Sequence, residues 1–239
     1  MAALPPTPDP TRFHEARPGD LRTAPRWHRL AHIVNELPRV LERLSAELGV
    51  PATGRVLDFG CAEAPYRRFF PDAVEYLAAD LQGNPHANLT LAPDGTLPLE
   101  SESVHAVLST QVLEHVADPS LYLEECARVL RPGGRLLLST HGFMVYHPDP
   151  VDYWRWTCAG LRRALEQAGL GVVHFEGVMG PGASGLQLVH DAVYFRLPRP
   201  LQPLWAFALQ SLIALADRLE SRASKDMNAL VFALIAEKR

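Results

Sequence analysis

The sequence predicts an α/β protein built on a doubly wound, mostly parallel sheet with helices on both faces. Short β-branched or leucine-rich runs alternate with segments of helical periodicity, the pattern left by strand–helix–strand crossovers. Helix caps and glycine or proline stops punctuate the alternation. The 239 residues, 47% hydrophobic and 21% charged, are ordinary for a soluble globular chain, and a single core can still grow at this length.

Pro5, Pro6, Pro8, Pro10, Pro18 and Pro25 crowd the start of the chain, and residues 1–26 read as a disordered arm. Residues 27–239 read as one domain. From Trp27 to Leu48, the apolar residues Leu30, Ile33, Val34, Leu37, Leu41, Leu44 and Leu48 recur at helical steps, with a break expected at Pro38. Strands are expected at 55–59, 75–80, 104–109 and 135–140. Before the last of these, Asp118 caps a helix opened by Pro119, Glu124 and Arg128 form an i,i+4 pair, and Tyr122, Cys126, Val129 and Leu130 mark its apolar face. Pro132-Gly133-Gly134 is expected to stop that helix. A further helix starts at Thr157, buries Leu161, Leu165 and Ala168, and ends at Gly169. Residues 178–226 read as a helical insertion, including the Leu/Ala-rich run from Leu201 to Leu219, that covers a sheet edge or forms a homodimer interface. Residues 228–236 read as a last buried strand.

Charge and cysteine usage exclude several classes. With 23 basic against 27 acidic side chains and a net charge of −4, no broad nucleic-acid surface is expected. Cys61, Cys126 and Cys158 form no C-x-x-C pair, which speaks against a disulfide framework or a cysteine-rich zinc site and for a reducing compartment. The chain shows neither a basic segment followed by an apolar run at its start nor eighteen uninterrupted apolar residues, so a cytoplasmic location without stable membrane insertion is expected. A membrane-surface or lipid-acceptor role is the alternative for the tail, but Arg218, Arg222 and Lys225 are offset by Asp217, Glu220 and Asp226, so no polybasic face for membrane attraction is expected.

Ligands of open α/β sheets sit beyond the carboxyl ends of the strands. After the first strand comes Asp58-Phe-Gly60-Cys-Ala62-Glu-Ala64-Pro65, a turn of small residues that lets backbone approach a ligand. Asp80 ends the second strand at the separation from Gly60 that suits a ribose-binding carboxylate. A nicotinamide dinucleotide would use both features, but its fingerprint needs a small residue at position 65, which is proline. Small residues at 60, 62 and 64 suit a ligand without a pyrophosphate. A tight turn with no ligand explains the loop alone, but leaves Asp80 unexplained.

The stretches 56–67, Asp80, 97–116 (with Leu113-Glu114-His115) and Arg128-Val-Leu-Arg-Pro-Gly-Gly134 together resemble the class I S-adenosylmethionine-dependent methyltransferases, in the small-molecule, type 11-like branch. The resemblance covers residues 54–177 and implies a seven-stranded Rossmann-like sheet, an enzyme, and S-adenosyl-L-methionine as cofactor. It implies that Asp58, Gly60 and Ala62 organise the methionine end, Asp80 binds the ribose, Leu81 packs beside the adenine, Asp94 and Gly95 meet its edge, and Gln111 lines the floor beneath the sulfonium. The family usually has glycine where this chain has Ala62, and commonly at Ala64; the added methyls weaken binding or set the loop further out.

A sulfonium methyl donor is already activated, so the protein's task is to align acceptor and donor and exclude water, with a general base only where the acceptor must lose a proton. The candidates for that base are His141 directly after the fifth strand, His147 in the following loop with Asp149 and Asp152, and His115 in the Leu-Glu-His turn; His105 lies within a strand and reads as packing. Tyr153, Trp154 and Trp156 either staple the helix that follows or wall an acceptor pocket, with Arg155 binding an anion or pairing with Asp152. His141, His147 and Asp149 match no common metal-ligand spacing, and no metal is expected. The functional expectation is methyl transfer to a small-molecule or saccharide acceptor, at oxygen. The alternative is a non-catalytic binding or assembly module of the same fold, suggested by Ala62 and Ala64.

Overall fold

The computed structural model describes residues 24–146 and 151–239. The arm expected over 1–26 lies almost wholly outside these. Its end does not: Ala24 is buried and clasped by Asn35, whose side chain accepts from the Ala24 N–H and donates to the Ala24 carbonyl, each at 2.9 Å.

Helix α1 (Ala31–Ala46) buries Ile33, Leu37, Leu41 and Leu44. Residues before Ala31 form turns, so the helix starts later than its apolar pattern. The break expected at Pro38 does not occur. A proline forfeits one intrahelical bond, but this ring is itself buried with the apolar stripe, and packing carries the helix past it.

Strands β1 (Arg55–Phe59) and β2 (Glu75–Asp80) match their expected bounds, followed by the short β3 (Leu89–Thr90) and by β4 (Val104–Thr110). Helix α2 (Pro119–Val129) is capped by the Asp118 carboxylate, which accepts from the amides of Ser120 and Leu121. Pro132-Gly133-Gly134 does not stop it. Strand β5 (Leu130–His141) begins at once, and the triplet bulges out between Leu130, paired with Val104, and Arg135, paired with Ala106; Gly133 has φ +73°. The expected Glu124–Arg128 pair is also replaced. Arg128 Nε donates to Glu125 at 2.5 Å while its other nitrogens reach the Leu97 and Leu99 carbonyls, because Glu125 and not Glu124 faces that loop and accepts from the Leu97 amide.

Helix α3 (Cys158–Gln167), capped by Thr157, buries Leu161 and Leu165, with Ala168 half-buried at its end. Then follow β6 (Leu170–Val178), α4 (Pro181–Tyr194), α5 (Gln202–Leu219), α6 (Arg222–Met227) and β7 (Val231–Lys238), which starts three residues after the expected 228.

The sheet order is β3-β2-β1-β4-β5-β7-β6. All pairings are parallel except those of β7, which runs antiparallel to β5 and β6. Successive side chains of each strand feed opposite cores. Leu57, Phe59, Val107, Leu136 and Leu138 join α2 and α3 on one face. Val56, Leu108, Leu137, Val231 and Ile235 join α1 and Ile213 of α5 on the other. The strands are thus mainly apolar, as strands covered on both faces must be, with Asp58 of β1 and Glu176 of β6 among the buried exceptions.

Strand β6 and helix α6 approach closely at Gly177, whose amide donates to the Asp226 carboxylate at 3.0 Å; a Cβ there would overlap the Lys225 carbonyl. Gly177→Ala is therefore expected to cost about 1–3 kcal/mol by overpacking. That is a fall of roughly 2–12 °C in Tm for a domain this size. A thermal melt checks it, and an unchanged Tm would show that the contact yields freely.

Candidate active site

The order of strands reverses between the parallel neighbours β1 and β4: β2 and β3 are added on one side and β5 on the other, so the connections leaving the two carboxyl ends part in opposite directions and open a crevice. A cleft of about 1820 Å³ occupies it, lined by the loop after β1, the end of β2, the 91–96 turn, residues 110–112 and 115–118, and on the far side by α1, Met144, Val145 and Phe195. His141 lines the same cleft.

The loop after β1 is held from below and from the side. Gly60 has φ +82°, and a Cβ there would meet Val112 Cγ2 at 2.6 Å, so both backbone conformation and the facing strand demand glycine. Ala62 and Ala64 also adopt left-handed backbone, φ +48° and +51°. The two alanines therefore keep the conformation that glycine favours, at about 1–2 kcal/mol each. The loop's anchor is Asp80. Its Oδ2 accepts from the Ala62 amide at 2.9 Å and from Asn84 Nδ2 at 2.7 Å, its Oδ1 from the Leu81 amide at 2.7 Å, and Asn84 also donates to the Ala62 carbonyl at 2.7 Å. The segment following the loop is a single 3-10 turn, Arg67–Phe69, and not an α-helix. A dinucleotide pyrophosphate would lack the helix N-terminus on which that ligand class relies.

Asp58 does not reach the cleft wall. Its carboxyl is buried beneath the loop, with Oδ2 accepting from the Tyr76 hydroxyl at 2.7 Å and Oδ1 lacking a hydrogen-bond partner among the described residues. Burial pushes its pKa up to about 7, opposed by the Tyr76 bond and aided by the nearby Asp80 charge. Leu81, largely exposed, lies at the cleft edge. Asp94 and Gly95 form the tip of a turn across the cleft: Gly95 has φ +88°, and Asp94 Oδ1 accepts from the Thr96 amide and hydroxyl, which lowers its pKa. Gln111, φ +57°, binds β4 to β5 through its amide to the Ser139 carbonyl at 2.9 Å and its Nε2 to Ser139 Oγ at 3.1 Å. Gly60, Ala62, Asp80, Leu81, Asp94, Gly95 and Gln111 thus share one cleft.

At the other end, His141 Nδ1 lies 3.3 Å from Glu114 Oε1, both buried, in a charge contact short of hydrogen-bond alignment. Glu114 Oε2 accepts from Thr140 Oγ1 at 2.9 Å. Burial raises the Glu114 carboxyl to a pKa of about 7. His115 also lines the cleft; its Nδ1 lies 2.6 Å from the Val151 carbonyl, which only accepts, so Nδ1 carries the proton and Nε2 is the basic nitrogen. His147 and Asp149 lie outside the described residues.

Tyr153, Trp154 and Arg155 are not brought to the cleft wall. The amides of Tyr153 and Trp154 donate to the Glu114 carbonyl, and Trp154 Nε1 to the Val116 carbonyl at 2.8 Å. Arg155 commits all five of its donors: two to Asp152, and one each to the carbonyls of Met144, Val145 and Trp154. It pairs with Asp152 and has no donor left for an anion. The segment pins the Leu-Glu-His turn from outside.

Several residues in or behind the cleft wall were singled out by no motif. Asn84 is announced by nothing but its distance from Asp80. Glu114 was visible only as part of a turn, and its pairing with His141 arises because β4 and β5 lie side by side. Arg29, bonded to Asp191 at 2.8 Å and stacked 5.3 Å from the Phe195 ring centre, sits at the start of α1 beside the cleft.

Fold and cleft define a doubly wound protein with a site for a nucleoside-type ligand that carries no pyrophosphate. Residues 57–138 match the family described as a methyltransferase domain. A ubiquinone biosynthesis O-methyltransferase of Dinoroseobacter shibae is 31% identical over 190 residues, 62% of this chain and 76% of that protein. A probable S-adenosylmethionine-dependent methyltransferase of Mycolicibacterium smegmatis is 37% identical over 112 residues, 44% of this chain and 42% of that one. Across the first three curated relatives the aligned stretch spans 42%, 24% and 58% of their own lengths. Among solved structures, the [4+2]-cyclase SpnF superposes with a TM-score of 0.54 at 18% identity, over 85% of this chain and 82% of that one, a likeness of fold alone. The chain belongs to the S-adenosylmethionine-dependent methyltransferases, whose cofactor is S-adenosyl-L-methionine.

Replacing Ala62 or Ala64 by glycine removes a left-handed penalty of about 1–2 kcal/mol and adds about 0.4–1 kcal/mol of unfolded-state freedom. Each variant should be as stable as the parent or more so by up to about 1 kcal/mol, whereas Ala206→Gly, buried within α5, should lose about 1 kcal/mol or more. Denaturant unfolding checks both signs; a clear loss in Ala62→Gly would show that the loop stores no strain.

Proposed function

We propose that this chain transfers a methyl group from S-adenosyl-L-methionine to an oxygen of a small, largely apolar acceptor. The observation that carries the reading is the single cleft joining the Asp80-anchored loop at one end to the buried His141–Glu114 pair at the other. The cofactor, when bound, supplies a methyl already activated on a sulfonium.

The donor end suits that group by its own chemistry. In this reading Asp80 at the end of β2 takes the ribose, and the 92–96 turn and Leu81, which line the same cleft, flank the adenine. Gln111 floors the junction between the two ends. Asp58 supports the loop from beneath, where its second oxygen has no hydrogen-bond partner among the described residues. The non-catalytic alternative rested on Ala62 and Ala64, and their left-handed backbone speaks for a loop of the usual shape.

The acceptor end is walled by Leu30 just before α1 and by Ile33, Val34 and Leu37 of α1, together with Met144 and Phe195. Such a wall excludes water and suits a ring or chain better than a saccharide, whose hydroxyls would want many polar partners. Oxygen as the methylated atom fits a histidine base, and the Dinoroseobacter relative is named as an O-methyltransferase. With Glu114 ionised and Nδ1 of His141 protonated, Nε2 is the basic nitrogen that takes the acceptor's proton, and the carboxylate steadies the resulting imidazolium. His115 is the second candidate, with Nε2 as its basic nitrogen.

Calorimetry with S-adenosylhomocysteine tests the cofactor site: the parent should bind and Asp80→Ala should bind at least about tenfold more weakly. No binding by folded parent protein would sink the reading. Against a panel of hydroxylated aromatic and isoprenoid acceptors, His141→Ala should lower kcat by about 10²–10⁴ with S-adenosylhomocysteine affinity unchanged. Because the competent form requires ionised Glu114, kcat/KM should rise with pH through about 7, and Glu114→Gln should remove that limb. A flat parent profile, or full activity in His141→Ala, would pass the role to His115 or to no base.

A further inference from the structure

Helices α4 and α5 are turned inside out. Residues facing the domain are polar to an unusual degree: Gln187, His190 and Asp191 of α4 and Gln210 and Asp217 of α5 are all buried. They form a connected seam with the start of α1. Gln210 Nε2 donates to the Arg29 carbonyl at 2.6 Å and to Gln187 Oε1 at 2.9 Å, Arg29 pairs with Asp191, and Asp217 binds His32 and Lys225.

The solvent-facing arc of α5 is a leucine stripe. Leu204, Leu212, Leu215 and Leu219 are 69, 47, 55 and 78% exposed, with Phe207 beside them. On α4 the outward arc carries Leu188, Val189 and Phe195. Isolated exposed apolar residues need no explanation, but two adjacent helices that both present them along their length do.

Charge distinguishes the candidates for an occupant. Among the described residues, the exposed charges on this surface and its tip are Arg26, Arg196, Arg199 and Arg218, with Arg26 Nη1 reaching Ser211 on the α5 stripe at 3.5 Å. The neighbouring acids are spent: Asp191 on Arg29, Asp217 on His32 and Lys225, and Glu220 on the amides of Gly182 and Ala183 at the start of α4. A second copy of the chain would bring these arginines against their equals. An anionic lipid surface would receive both the leucines and the arginines. The surface is also continuous with the cleft, because Phe195 belongs to both.

We propose that the α4–α5 hairpin is a peripheral docking surface for anionic membranes, lying in the interface plane and placing the acceptor end of the cleft at the lipid boundary. No described helix is long and apolar enough to cross a membrane, so the contact is one of lying on and not of spanning. The docking stands on the surface itself; that it delivers an amphipathic, lipid-borne acceptor rests on the methyl-transfer reading above.

Co-sedimentation of the full chain with phosphatidylcholine vesicles, with and without phosphatidylglycerol, tests the docking. The parent should bind the anionic vesicles and weaken as salt is raised. Leu204→Glu with Leu215→Glu, and separately Arg196→Gln with Arg199→Gln, should each lower binding about tenfold or more. Both pairs are exposed, so thermal melts and S-adenosylhomocysteine calorimetry should match the parent. A parent that ignores anionic vesicles, or variants that bind as it does, would overturn the docking. So would a stable dimer in light scattering that the leucine pair turns into monomer, since the face would then belong to a second copy. Loss of S-adenosylhomocysteine binding in the parent would strike the methyl-transfer reading and leave the vesicle result standing.

Discussion

The Asp80 carboxylate organises the donor half of the molecule. Its oxygens accept from the amides of Ala62 and Leu81 and from Asn84, which ties the loop after β1 to the end of β2. Those strands are already in register, with Phe59 opposite Ala79, so the carboxylate converts a pairing of strands into the shape of a loop. Bonds from amides to a charged acceptor are roughly twice as strong as neutral ones, and Asp80 holds Ala62 through one such bond directly and through Asn84, which also donates to the Ala62 carbonyl. The glycine at position 60 is then fixed from the opposite side by Val112.

The acceptor half obeys a different rule. Here apolar walls surround a few buried polar groups, and low dielectric decides their state. Glu114 and Asp58 are both lifted by burial to the neighbourhood of neutrality, one beside a histidine and one beneath the loop. The same burial that makes a carboxyl reluctant to ionise makes its ionised form a stronger partner for an imidazolium. Site and fold are not separate layers, since the residues that flank the cleft are the ends of β1, β2, β4 and β5.

Much of this was legible in the chain. Strands β1 and β2 could be read to the residue because strands buried on both faces are mainly apolar, and the donor-end residues could be read because they follow strand ends. Strand β6 could not, since its run is interrupted by His174 and by Glu176, a buried carboxylate that pairs with Arg43 and Arg222. The Glu114–His141 contact lies across 27 positions of sequence and exists only once β4 and β5 pair. Position in a motif left Tyr153, Trp154 and Arg155 open between a staple and a pocket wall, and the bonds of Trp154 and Arg155 are those of a brace. The orientation of α5 was hidden for a plain reason. A helix with leucines on most of its circumference has no preferred inner face until its few polar residues find partners, and Gln210 and Asp217 find theirs inside.

The commitment of every Arg155 donor has a consequence for traffic. Held in place by Asp152 and the Trp154 carbonyl, the guanidinium ties its own segment to the carbonyls of Met144 and Val145 through two bonds that must break together. Such a closure opens all together or not at all, which makes it a poor doorway. The opposite rim, between α1 and Phe195, is lined among the described residues by side chains and not by clamped backbone, which makes it the softer edge of the cleft.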